Sequence, residues 1–381
     1  MEEKIQIIEN TLALIRIDSR NNPHGEDIIT GFISKFLEDI KIDYTIIDHE
    51  NFRKSLIAHV QGESSEKNIT LCGHLDTINI SSALPNKGGE MDASIVEDKI
   101  FGIGSSDMKS GLTCILFALK YLKENGIKPK YDIYIVFTGD EEADKTGALF
   151  LLTQPFLKNT KLLLIAEPTN LNLGLGEKGQ IWFEVRFKGK AAHGSVPDKG
   201  KNAILMAMNF IEKLLYDDFF EKNNSFFPKS SVNIGYLNAP GPFNVVQDSC
   251  IAGIDIRLSP PETILAVTKK INKLLSQNFK KTEYEIKYID SLDPTFVHPE
   301  SKTAKHIKKI IDKHISGRRK IALPYATDGS VINHKISLPV VILGPGNPDV
   351  IHNKDEYVLT ENILKSVEIY RDILCNLSDV I

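Results

Sequence analysis

The sequence of 381 residues is short of cysteine, of surplus basic charge and of long apolar runs, and each shortage excludes something. Its four cysteines, Cys72, Cys114, Cys250 and Cys375, lie far apart and form no CxxC pair. That excludes a thiolate-built metal site and a disulfide framework, and leads us to expect a reduced, cytoplasmic protein. Lys and Arg total 46 against 50 Asp and Glu, a net charge of −4, which gives no footprint for nucleic acid or an anionic membrane surface. The short run Arg318-Arg319-Lys320 reads as a solvated loop. No stretch approaches the roughly 18 consecutive apolar residues of a membrane span. The N-terminal "MEEKIQIIENTLALIRIDS" is an amphipathic helix pattern of mixed charge, without the basic start and apolar core of a signal peptide. Gly102-x-Gly104 precedes a helical pattern, but Asp107 stands where a nucleotide-binding loop needs its third glycine.

What is present is an ordinary globular composition, 42% hydrophobic and 25% charged, in a chain long enough for two domains. Up to about Gly176, strand-like and helix-like segments alternate. Leu56–Val60, Ile69–Leu75, Tyr131–Thr138 and Lys161–Ala166 read as strands, the last two as short runs covered on both faces. Asp107–Asn125 reads as a helix stopped by Gly126. This predicts an α/β fold, with helices on both faces of a mostly parallel sheet. The texture then changes. Strand Gln180–Lys188, helix Asn202–Tyr216, strands Ser231–Leu237 and Asp248–Leu258, helix Pro261–Asn278 and strand Glu283–Ile289 make a βαββαβ unit. The α/β texture returns with helix Thr303–Ile315, strand Leu338–Leu343 and helix Thr360–Leu377. We therefore expect a discontinuous domain, residues 1–177 and 294–381, interrupted by an insert of residues 178–293. Asn21–Glu26 and Glu221–Lys229 read as loops.

Acids and imidazoles gather at the ends of the apolar runs. His74 and Asp76 close "NITLCGHLD", Glu141 and Glu142 close "YDIYIVFTGDEE", and Glu167 closes "KLLLIAEPTN". Asp107 sits in "FGIGSSDMKSG" and His352 follows "GPGNPDVI". In open α/β sheets, ligands bind at the carboxyl ends of the strands. Several carboxylates in one crevice repel each other unless a cation neutralises them. Imidazole and carboxylate without thiolate suit zinc, cobalt or manganese, and a bridging carboxylate suits two ions. His74, Asp107, Glu142, Glu167 and His352 supply one bridge and two pairs. Asp76 is placed to accept the second ring N–H of His74. Glu141, expected to point away from the ligands, is a natural general base.

Together "GHLDT", "GIGSSDMKSG", "TGDEE", "AEPT", "GKAAHGSVPDKGKNAI" and "GPGNPDVIHNKDEY" resemble the M20 metallopeptidases. The nearest subgroup is that of acetylornithine deacetylase and succinyl-diaminopimelate desuccinylase, and the motifs run in family order from about residue 70 to 360. The resemblance implies a zinc-hydrolase-like domain with an inserted ferredoxin-like dimerisation domain, and hence a homodimer. It implies two divalent ions, zinc foremost, one held by His74 and Glu167 and the other by Glu142 and His352. Asp107 would bridge them, with a cis peptide bond between Asp107 and Met108. Glu141 becomes base and acid, and Asp76 the orienter of His74. His193 would reach the partner subunit's site to hold the oxyanion. Arg257 would grip a substrate carboxylate, with Asn244, Thr327 and Gly329 as further contacts. Gln247 departs from the family's usual proline in the Asn244 loop. The implied activity is removal of an acetyl or succinyl group from the nitrogen of an amino acid such as ornithine or diaminopimelate. Glu167, where many dipeptide- and tripeptide-cleaving relatives have Asp, favours that reading over the M20-type dipeptidase, carboxypeptidase and carbamoyl-amino-acid hydrolase alternatives. A non-catalytic metal- or ligand-binding protein is the alternative of another class.

Overall fold

Short β-branched runs make the central sheet, and their burial on both faces follows from their lack of polar alternation. In the computed structural model, which describes residues 1–80, 91–217 and 226–381, the chain divides into two compact units. The first comprises Met1–Gly176, Phe296–Ile321 and Thr327–Ile381, and the second comprises Glu177–Thr295 with Ala322–Ala326. Among the described residues, no helix is long and apolar enough to cross a membrane.

In the first unit, strands Tyr131–Thr138, Ser64–His74, Thr160–Ile165 and Val340–Ile342 lie side by side and parallel. Strands Lys54–Val60 and Asp43–Asp48 extend one edge in antiparallel sense, and Leu173–Glu177 pairs antiparallel beyond Val340–Ile342. The sheet is therefore mixed, with a parallel centre and antiparallel flanks. All four parallel strands end at the same edge, which brings the segments after His74, Thr138, Ile165 and Ile342 together. Helix Ser110–Glu124 is buried along most of its length and packs against the closing helix Thr360–Cys375. Its first turn comes so close to the sheet that a Cβ on Gly111 would sit 2.3 Å from the carbonyl oxygen of Ala166.

That helix was expected to begin at Asp107 but begins at Ser110. Asp107 and Met108 have non-helical backbones and the peptide bond between them is cis. A distant residue meets the backbone N–H groups of this segment. Strand Tyr357–Leu359 pairs with Lys99–Phe101 and delivers Glu356, whose buried carboxylate accepts the backbone N–H groups of Gly104, Ser106 and Asp107. Those donors are thereby held outside a helical turn.

The second unit has the expected element order. Strands Gly179–Lys188, Ser231–Asn238, Ser249–Leu258 and Tyr284–Leu292 form an antiparallel sheet with Ser249–Leu258 and Gly179–Lys188 in the middle. Ile181, Phe183, Val185 and Phe187 alternate onto one face and join Ala207, Phe210, Val267 and Ile271, from helices Ala203–Leu215 and Ile264–Asn278, in a single core. Asn202 caps the first helix. The second starts three residues later than expected, because Thr263 supplies its cap by accepting from the N–H of Ala266. Of the loop expected at Glu221–Lys229, residues up to 225 lie outside the described residues.

Candidate metal centre

His74 is the last residue of its strand and is buried. Its Nε2 lies 2.9 Å from Oδ1 of Asp107 and 3.6 Å from Oε1 of Glu167. His352, exposed and left-handed in backbone, places its Nε2 3.1 Å from Oε1 of Glu142 and 3.4 Å from Oδ2 of Asp107. The two oxygens of one aspartate thus face two imidazoles, each with a further carboxylate of its own. Gly346 makes the approach of the His352 segment possible: a Cβ there would lie 2.3 Å from the carbonyl oxygen of Ser106. The N–H of Asn347 then donates to Ser106 Oγ at 2.9 Å.

The charges are out of balance in a way that a cation corrects. Burial and the Asp107 charge push the Glu167 carboxyl well above the ordinary value. Burial likewise raises Glu142, partly offset by its bond to His352. Burial alone would raise Asp107 too, but hydrogen bonds from His352 and His74 reverse the direction and hold it low. The His352 imidazole is raised to about 10 by its bonds to Asp107 and Glu142. For His74, burial opposes the charge, but the carboxylates of Glu167 and Asp107 outweigh it and raise the imidazole well above normal. The ring nitrogens and carboxylate oxygens that face one another are a donor set that matches zinc, cobalt or manganese, and a cation among them would replace the imidazole protons. Ligand atoms of His74, Asp107 and Glu142 all lie within 4.8 Å of one another, as do those of His74, Glu141 and Glu167.

Two expected details differ. The Nδ1 of His74 is 2.9 Å from the backbone carbonyl of Asp76 and 3.8 Å from its carboxylate. The orienting acceptor is therefore the carbonyl. The Asp76 carboxylate turns away because it accepts the N–H groups of Glu141 at 3.0 Å and Glu142 at 3.1 Å, and the Asn21 amide at 2.6 Å. Glu141 does not point away from the ligands but lies beside His74 and Glu167. Its charge is balanced there by the ammonium of Lys145, four residues on, with which it forms a close ion pair. Burial works against that ammonium, but the charges of Glu141 and Asp328 prevail and raise it above the ordinary lysine value.

Thr327 and Gly329 are buried and built into the start of helix Asp328–Ile336, where the Thr327 hydroxyl accepts the Gly329 N–H at 3.1 Å. That bond caps the first turn of the helix. Asp328 between them is also buried and accepts from the Thr138 hydroxyl at 2.6 Å. Burial raises its carboxyl to about 7.

His193, Asn244 and Arg257 belong to the second unit. The N–H of Gly194 donates to the Asn244 carbonyl at 2.7 Å, and His193 forms a bridge with Val245, so the first two share one exposed loop cluster. The Nδ1 of His193 accepts the Ser195 N–H at 3.2 Å, which leaves the ring proton of the neutral imidazole on Nε2. Gln247 donates to the carbonyls of Pro242 and Val245, both at 3.1 Å, and so closes by side chain a loop that proline would stiffen. Arg257 lies on strand Ser249–Leu258, with Nη1 3.0 Å from Gln180 Oε1 and its guanidinium 5.9 Å from the centre of the Trp182 ring.

Sequence reading missed Glu356, Lys145 and Asn21. Glu356 stood in the quoted "HNKDEY", and Lys145 lies at helical spacing from Glu141, so each had a weak local signal. Asn21 had none, because its partner Asp76 is 55 residues away.

A parallel-centred α/β sheet carrying imidazoles and carboxylates at its strand ends defines a metal-dependent hydrolase. Residues 70–376 match peptidase family M20/M25/M40, and the chain belongs to that family, whose members hydrolyse amide bonds. It is 27% identical to an uncharacterized metallohydrolase of Methanocaldococcus jannaschii over 413 residues, covering 98% of this chain and 99% of that one. It is also 27% identical to acetylornithine deacetylase of Buchnera aphidicola subsp. Schizaphis graminum over 381 residues, covering 98% and 97%. Among solved structures, aminopeptidase PepT from Bacillus cereus superposes with a TM-score of 0.80 at 20% identity, covering 98% of this chain and 99% of that one.

Proposed function

We propose that the chain is a dinuclear amidohydrolase that removes an acetyl or succinyl group from the nitrogen of an amino acid such as ornithine or diaminopimelate. The observation that carries the reading is the division of Asp107, one oxygen toward His74 and the other toward His352. His74 and Glu167 would hold one ion, Glu142 and His352 the other, with Asp107 shared and zinc favoured by the donor set. Bound ions would supply Lewis acidity toward the attacking water and the acyl carbonyl.

The chain's own groups do the rest. Glu141 takes the proton of the attacking water and returns it to the leaving nitrogen. Asp76 fixes the backbone from which Glu141 and Glu142 project. In a homodimer, His193 of the other copy donates a hydrogen bond from its Nε2–H to the developing oxyanion. Arg257, with Asn244, takes the amino acid carboxylate, a task suited to a planar fork. The buried thiols of Cys72, Cys114 and Cys250 suit a reducing, cytoplasmic setting. The similarity to acetylornithine deacetylase across nearly the whole chain supports the acyl-amino-acid class.

The test is turnover of N-acetylornithine, N-succinyl-diaminopimelate and simple dipeptides, each with added zinc, cobalt or manganese. Acyl amino acids should be cleaved. Cleavage of dipeptides alone would instead favour the peptidase reading, which the likeness in fold to PepT keeps in view. Full activity in Glu141→Gln would remove the proposed base, and an active monomer in sedimentation would remove the role of His193 in trans.

A further inference from the structure

Behind the loop that carries Glu141 and Glu142 lies a buried polar cluster in which, of the residues given a role above, Asp76 alone takes part. Arg53, 4% exposed, forms a close ion pair with Glu26, which is fully buried. Its Nη1 donates to the Asn22 carbonyl at 2.5 Å. Its Nε lies 3.5 Å from Asp140 Oδ1 and its Nη2 3.7 Å from Asp76 Oδ2. The Asn21 amide spans the same two acids, 2.6 Å from Asp76 and 3.2 Å from Asp140. Glu26 in turn accepts the backbone N–H of Asp140 at 3.3 Å. The loop Asn21–Glu26 is thus tied to Asp140, the residue just before Glu141.

The cluster is costly unless geometry is its purpose. Three buried carboxylates, of Glu26, Asp76 and Asp140, surround a single guanidinium, and replacing such groups by apolar ones commonly stabilises a fold. What the arrangement provides is direction. Asp76 receives the Glu141 and Glu142 N–H groups on its front, while from behind the Asn21 amide donates to its carboxylate and the Arg53 guanidinium faces it as a charge at 3.7 Å. Asp140, left-handed at φ 68°, is pinned by the same pair and by the Thr146 hydroxyl. A planar fork reaches Glu26, Asp140 and Asp76 at once, which a lysine ammonium at the same site would not.

We propose that Arg53 and Asn21 are positioning residues for the amide hydrolysis, setting the directions of Glu141 and Glu142 through Asp76 and Asp140. The proposal rests on the reading of Glu141 as base and Glu142 as ligand. Removal of a group that orients metal ligands typically costs about 10- to 100-fold in metal affinity or activity.

The test uses full-length, metal-loaded Arg53→Lys, Arg53→Met and Asn21→Ala. Zinc affinity is read by competition with a chromophoric chelator, and kcat and KM are measured with N-acetylornithine or whichever panel substrate is turned over. Thermal melting runs alongside, with Ser301→Ala, which loses a helix cap away from the cluster, as a control for stability loss. Arg53→Lys and Asn21→Ala should lose about 10- to 100-fold in kcat or zinc affinity, with KM within about threefold. Ser301→Ala should lose stability without that loss. Wild-type kcat and affinity in folded Arg53→Lys and Asn21→Ala would overturn the proposal, as would losses no larger than those of an equally destabilised control. Should Arg53→Met fail to fold, the other two variants decide. Glu141→Gln separates the two levels. If it is inactive while Arg53→Lys is normal, the positioning idea alone fails. If it is fully active, the reading of the base fails.

Discussion

Replacing Glu356 by glutamine changes few atoms and tests how Asp107, the proposed shared ligand, is held. The two carboxylate oxygens accept three backbone N–H bonds: Oε1 from Ser106 at 2.7 Å and Asp107 at 2.9 Å, and Oε2 from Gly104 at 3.1 Å. The amide keeps one oxygen and sets an N–H donor against the donor that remains. One buried bond is lost and one N–H is left without an acceptor, which costs about 1–3 kcal/mol. Spent on the Asp107 backbone, that is a rise of roughly 5- to 150-fold in the zinc Kd. Burial and the Asp107 charge hold the Glu356 carboxyl at about 7, so the contrast is fullest above that pH, where the wild-type group is ionised. Chelator competition gives the Kd, and urea unfolding gives the accompanying stability loss. Glu356→Ala should be worse, since it strands all three donors. A folded Glu356→Gln protein with wild-type zinc affinity would refute the claim that Glu356 places Asp107.

Three other outcomes follow from the same geometry. The carboxylates raise the imidazole of His74 above its ordinary value and that of His352 to about 10, and ligation needs the neutral rings. Metal affinity should therefore fall as pH is lowered, by about tenfold per unit for each proton displaced, and calorimetry in buffers of different ionisation enthalpy should detect proton release. An identical heat in every buffer would count against it. Gly111→Ala should cost about 1–3 kcal/mol in urea unfolding, because the new Cβ meets the Ala166 carbonyl oxygen at 2.3 Å; an unchanged midpoint would mean that the helix shifts freely. Gln247→Ala removes the two side-chain bonds that close the Asn244 loop and should raise KM several-fold, while costing stability no more than about 1 kcal/mol; unchanged KM would argue that Asn244 does not meet substrate.

The outline of this protein was legible because its strongest signals are local. Ile181, Phe183, Val185 and Phe187 announce a half-buried strand by alternation, and the βαββαβ order follows from a few such runs. The candidates His74, Glu142 and Glu167 were legible because each stands at the end of an apolar run, where a charge needs a reason. What escaped depends on backbone groups or on partners remote in sequence. A carboxylate that accepts backbone N–H groups, as Glu356 and Asp76 do, leaves no pattern in residue types. The start of helix Ser110–Glu124 was misplaced for the same reason, since the bonds that hold Asp107 out of it come from Glu356. Nothing in the local sequence sets Arg53 or Glu26 apart, and only the fold shows them buried around a single loop.

The separation of Asp107 from Glu356 gives the chain a timetable. They lie 249 residues apart, an interval of roughly 12–50 s at ribosomal rates of about 5–20 residues per second. During that time the strands of the second unit, all within residues 179–292, are complete and free to pair. His74, Asp107, Glu142 and Glu167 have all emerged, yet the acceptor that shapes the Asp107 backbone has not, and neither has His352. On the proposed ligand set, loading of both ions waits until Glu356 and His352 have emerged, and a polypeptide cut short before Glu356 carries the candidate acids without the three backbone bonds that carboxylate accepts.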